Sequence, residues 1–104
     1  MLIEKNTLDE NNIITLKLSS GEEIIGKFIR EDETSYLMEK PLMLAMSQKG
    51  VGMAPVLMTV NPESKIKIQK HAVMILANSD EDIAKQYIYQ TTGIQPVTSS
   101  ILGV

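Results

Sequence analysis

Apolar and polar residues alternate from Ile13 to Ser19: Ile14, Leu16 and Leu18 interleave with Thr15, Lys17 and Ser19. That two-residue period predicts a half-buried strand. Ser20-Gly21 interrupts the run, and Glu22 to Glu31 resumes it as a second strand with Gly26 in its middle. A glycine inside a strand marks a sharp bend or a close backbone approach. Ile24 and Phe28 share a face with Gly26 while Ile25 and Ile29 lie on the other, so this strand is expected to be covered twice. The two segments form a hairpin whose second strand is strongly curved, the first step in rolling a short sheet into a barrel.

Asp32-Glu33-Thr34-Ser35 is a turn cluster, and a third strand is predicted from Ser35 to about Met46. Pro41 cannot donate to a ladder, so the middle of that strand must bend or lie at an edge. A turn is expected over Ser47 to Gly52. A fourth strand follows in two pieces, Val56 to Val60 and Lys65 to Gln69, hinged at Asn61-Pro62-Glu63-Ser64. The extra length from Leu42 to Val60 is read as an extended hairpin projecting from the barrel. Ala72 to Ala77 is a near-continuous apolar run, as in a strand buried on both faces. The period then changes. Ile83, Ala84, Tyr87, Ile88 and Thr91 fall on one helical stripe. Ser79 and Asp82 form a weak capping box, and Gly93 is placed as the stop. A helix over Asp80 to Thr92 follows, then a loosely held tail from Ile94 to Val104. The domain reading is an N-terminal segment over residues 1–12, a barrel over 13–78, and a C-terminal helix and tail over 79–104.

Composition narrows the function. One domain of 104 residues with 43% hydrophobic content folds around a modest core, and seven methionines against only four aromatics make that core aliphatic and adaptable. The net charge of −3 requires any nucleic-acid contact to be local. Without cysteine there is no disulfide or thiolate metal site, and nucleophilic chemistry would need Ser or Thr paired with His71, for which no surrounding motif exists. Asp80-Glu81-Asp82 is explained by the helix dipole and solvation, without a metal. A non-enzyme with no cofactor is expected. The polar start, Met1 to Asn12, and the lack of a long apolar window lead to the expectation of an intracellular, cytoplasmic protein that does not enter a membrane.

Gly21, Gly26 and Asp32 stand at the spacing of the first motif of the Sm-like (LSm) superfamily, and Lys70-His71-Ala72-Val73 resembles the Lys-His-Ala-Ile of its bacterial RNA-chaperone branch, Hfq. The resemblance covers Ile13 to Ala77. It implies a mainly β fold: a small five-stranded, strongly bent Sm-like barrel, here with an additional C-terminal α-helix. It also implies a homo-oligomeric ring, a hexamer or heptamer, in which the fourth strand of one subunit pairs with the fifth of the next. Single-stranded RNA would bind near the pore. The RNA-binding residues would be Lys70 and His71, which line that pocket, with Asp32 beside them and Tyr36 as a displaced stacking platform. Thr34 stands where the family stacks a base, Tyr36 where many members have Asn, and Gln69-Lys70 replaces their Arg-Gly. A second reading stays open: a structural ring without nucleic acid, presenting its C-terminal helix to a protein partner. Each site residue also has a plainer role. His71 can be a polar turn residue, Tyr36 a core-rim residue, and Asp32 an acceptor for turn amides. Lys65 and Lys67 read as a solvated strand face.

Overall fold

The computed structural model of the chain describes residues 11–93. The two strands of the first hairpin are β1 (Ile13–Leu18) and β2 (Glu23–Glu31). They are followed by β3 (Ser35–Ser47), β4 (Gly50–Pro55), β5 (Lys65–Gln69), a 3₁₀ turn (Lys70–Ala72), β6 (Val73–Asn78) and the helix α1 (Glu81–Thr92). All pairings are antiparallel. β3 pairs with β2 along one edge, β2 with β1, and β1 with β6. The fold is therefore mainly β, one bent antiparallel sheet with a single C-terminal helix among the described residues.

Curvature has a local cause at two bulges. Ile25 pairs with Leu42 and Lys27 with Glu39, so Gly26 alone faces both Lys40 and Pro41. Lys40 takes a left-handed conformation there, with φ 52°. A Cβ on residue 26 would sit 3.2 Å from the Pro41 Cα and 2.6 Å from the Met38 Cε, which explains the glycine. The second bulge lies at Ile29, because Phe28 pairs with Met38 and Arg30 with Leu37. Pro41 thus marks the bend expected of it.

The other edge of β3 is read by an interrupted strand. Leu42 to Ser47 pair with β4, and Ser35 to Glu39 with β5. Between Leu42–Pro55 and Glu39–Lys65, β3 spends two residues while its partner spends nine, residues 56–64. The expected two-piece strand is present, but its first piece is Gly50–Pro55 and not Val56 to Val60, which belongs to the excursion. Backbone pairing to β3 overrode the stronger β propensity of the later segment. The hairpin expected over Leu42 to Val60 is present as far as Pro55, tipped by Gly50 with φ 113°.

The core follows the even-numbered face of the first strands: Ile14, Leu16, Ile24, Phe28 and Met38 are buried, flanked by Leu18, Tyr36, Ile68, Val73 and Leu76. Ile25 points to the opposite face and is fully buried as well. α1 covers that side. Asp80 and Ile83 line a recess with Thr15 and Glu23, and the Ser79 and Thr15 hydroxyls lie 2.8 Å apart. Tyr87 is buried, and its hydroxyl donates toward the Glu39 and Lys40 carbonyls, at 2.9 and 2.8 Å. β2 is covered twice, as its sequence implied. The N-cap of α1 is Asp80, one residue beyond Ser79: its carboxylate accepts from the Asp82 and Ile83 amides. Gly93 closes the helix in the left-handed region, its amide on the Tyr89 carbonyl.

β6 departs from expectation. Val73 and Leu76 pack on the core, whereas Met74 and Ile75 are 62% and 57% exposed. Ile75 lies opposite Lys17 on the outer side, and the register shift between Lys17 and Leu18 leaves Met74 as the unpaired extra residue. Among the described residues the strand packs on the core through one face only. No described helix is long and apolar enough to cross a membrane. The expectations for the segment up to Glu10 and for the tail from Ile94 lie outside the described residues.

Candidate functional site

Three of the four residues singled out from sequence converge where β2 turns into β3. Asp32 is the keystone of that turn. Its Oδ1 accepts from the Thr34 amide at 2.9 Å, the Ser35 amide at 2.8 Å and the Ser35 hydroxyl at 3.0 Å. Those bonds, the Thr34 amide first, hold its carboxyl down at about pH 2, well below the usual carboxylate range, and Lys67 at 3.8 Å adds attraction. Asp32 spends its acceptors on its own backbone, which is the plainer of its two roles.

The same turn anchors the end of β5. The Lys70 amide donates to the Thr34 carbonyl at 2.8 Å. This bond carries the 3₁₀ turn over to the rim of the core, where Tyr36 is half-buried. The Lys70 Nζ stands 5.2 Å from the centre of the Tyr36 ring, within cation–π range, and 3.0 Å from the Glu31 carboxylate. Glu31 and Tyr36 face one another across the β2–β3 ladder, so they share one side of the sheet. The cluster is a compact trio of acid, base and ring.

His71 occupies the middle of the 3₁₀ turn with its side chain exposed, and no hydrogen bond or ion pair joins it to another described residue. It neighbours Lys70 in the chain without touching Asp32 or Tyr36. The backbone of this turn is tied by Ser19, whose amide and hydroxyl both donate to the Ala72 carbonyl, so the imidazole is left as an exposed polar group of the turn.

Sequence reasoning passed over Glu31 and undervalued Lys65 and Lys67. Each cation along β5 is matched by an acid across the sheet: Lys65 with Glu39 at 3.9 Å, Lys67 with Asp32 at 3.8 Å, then Lys70 with Glu31. The readable signal was the adjacent acids Glu31 and Asp32 against lysines at positions 67 and 70. No group of three or more His, Asp or Glu among the described residues is arranged to hold a metal ion.

A second concavity of about 550 Å³ lies away from this cluster. Pro41, Leu42, Met53, Pro55, Ile66 and Thr91 are among the residues around it, making it an apolar furrow between the hairpin, the 56–64 excursion and the end of α1. Its titratable residues are Lys40 and Glu63, which pair with one another at 3.9 Å.

No protein-family model matches this chain, and no curated protein matches it either. The functional reading therefore rests on the geometry and on the motif resemblance.

Proposed function

We propose that this chain is a divergent Sm-like protein that closes into a homo-oligomeric ring, a hexamer or heptamer, and binds single-stranded RNA around Tyr36, Lys70 and His71. The observation that carries the assembly is a pair of open edges. β6 ends the strand path β4-β3-β2-β1-β6 and β5 pairs only with β3, so among the described residues each is paired on one side, and β6 carries exposed Met74 and Ile75. Unpaired apolar edges are an aggregation hazard, and a ring in which β5 of one copy meets β6 of the next removes both at once. The 3₁₀ turn between these strands then repeats around the ring and displays one His71 per copy. A planar imidazole and the Tyr36 ring supply faces for bases, and Lys70 supplies charge for a backbone phosphate.

Fluorescence anisotropy on short oligo-U and oligo-A strands tests the ligand. Micromolar binding at physiological salt that weakens at least fivefold in His71→Ala supports the reading. Affinity no better than millimolar for every strand, unchanged by His71→Ala, ends it.

One observation favours a ring without nucleic acid: Ile88 and Tyr89 on the outer side of α1 are 40% and 45% exposed, a surface suited to a protein partner. Deleting the helix is the wrong experiment, because it would strip Tyr87 from the fold. Ile88→Ser with Tyr89→Ser in a pull-down isolates that surface. A partner lost with both serines, together with no RNA binding, would favour this reading over the first.

A further inference from the structure

We infer that the binding cluster is self-occupied: Lys70 lies on the base-stacking face of Tyr36, Glu31 takes the place of the phosphate on Lys70, and Glu31 is the residue that sets how far the site accepts RNA. This rests on the RNA-binding reading above. The geometry is specific. The Glu31 carboxylate is 3.0 Å from the Lys70 Nζ, the distance at which a phosphate oxygen would bind. The same ammonium sits 5.2 Å from the ring centre, over the surface a base needs. Glu31 comes from the ladder position opposite Tyr36, so acid and ring are held side by side by the backbone and do not depend on a loop.

Of the three acids that neutralise lysines here, only Glu31 has no second task. Asp32 organises its turn, and Glu39 bridges Lys27 as well as Lys65. The Glu31 side chain is 46% exposed and stands at the end of its strand, so it can swing away without breaking the sheet. An incoming strand must displace the acid from Lys70 and Lys70 from the ring. The carboxylate it uncovers repels a phosphate close by. The site therefore selects base contacts over backbone contacts, which suits a protein of net charge −3. A phosphate that is not neutralised releases no counterion, so binding by the native chain should depend only shallowly on salt.

The experiment compares native chain, Glu31→Gln and Glu33→Gln by anisotropy on oligo-U and oligo-A from low to physiological salt. Glu33 is the internal control: it is exposed, two residues away, and forms no ion pair with a described residue. Glu31→Gln is expected to tighten binding about three- to fivefold, the scale of one exposed ion pair. It should also steepen the slope of log K against log salt by about 0.7 for each phosphate newly engaged. Adding Lys70→Ala should erase both gains, and Glu33→Gln should leave both near native. Equal gains from Glu31→Gln and Glu33→Gln would mean that overall charge governs affinity, overturning the role of Glu31 while leaving RNA binding intact. Binding by the native chain with no change in Glu31→Gln would overturn it too. No binding by any of the three would overturn this inference together with the RNA-binding reading.

Discussion

The spine of the sheet and its rim carry the same kind of residue to opposite fates. On β1, β2 and β3, Ile14, Leu16, Ile25 and Met38 are completely buried, each by a neighbouring strand or by α1. On β6, Met74 and Ile75 stand 62% and 57% exposed. Hydropathy does not separate these groups; neighbours do. β2 has a strand on each edge, the core on one face and a helix on the other, whereas among the described residues β6 pairs with β1 alone. Burying one such side chain contributes about 1.5–3 kcal/mol. The spine has already gained that among the described residues, and on the ring proposal the rim gains it from a second chain. The candidate cluster lies where the end of β5 meets the 3₁₀ turn.

If the spine is complete, changes there should lower stability whatever the oligomeric state. Met38→Ala deletes a fully buried side chain and should cost about 3 kcal/mol in chemical denaturation. A loss under 1 kcal/mol would mean that the interior is looser than described. Gly26→Val forces a branched side chain against the Pro41 backbone and should cost about 2 kcal/mol, with Gly26→Ala milder because the Met38 methyl can yield. Equal effects would place the strain elsewhere than at the β3 bulge.

Tyr87→Phe leaves the Glu39 and Lys40 carbonyls without their buried donor and should cost about 1 kcal/mol. It also has a pH signature. Burial raises the Tyr87 phenol above its ordinary value, so the folded state holds that proton more tightly than the unfolded chain. Native stability is then full below about pH 10 and falls above it, and melting curves across that range should flatten at the alkaline end in Tyr87→Phe. Asp32 works on the acid side. Its depressed carboxyl contributes stability above the unfolded value of about 4, lost as pH falls toward about 2. Asp32→Asn should remove that acid dependence, and an unchanged acid transition would show that the turn does not need the charge.

Rim changes should do the reverse. Ile75→Glu is expected to alter the folding stability of an isolated chain by less than about 0.5 kcal/mol. Its effect should appear instead as a fall in particle mass by light scattering. A large loss of stability with no change in mass would make β6 an ordinary part of the core.

Much of the spine was legible because its period of two is strict and its glycine has a steric reason. Ile13 to Leu18, Glu23 to Glu31 and the helix all stand within a residue or two of their sequence positions. β4 was misplaced because Gly50-Val51-Gly52-Met53-Ala54-Pro55 has little strand propensity of its own and is held by pairing to β3. Asp32 and Tyr36 could be read from motif spacing, and Asp32 turned out to serve its turn. Glu31 could not be read that way. Without the bulge at Ile29 it would face Ser35, and only that one-residue shift sets it opposite Tyr36. Bulges depend on how distant strands meet, so local patterning does not reveal them. The exposure of β6 was hidden for a related reason: an apolar run reads alike whether its second face meets its own chain or another.

Sedimentation equilibrium of the intact chain at tens of micromolar addresses the open rim most directly. A single species of six or seven times the 11.5 kDa chain mass, reduced to smaller particles by Ile75→Glu, is the expected result. A stable 11.5 kDa particle at that concentration would contradict it.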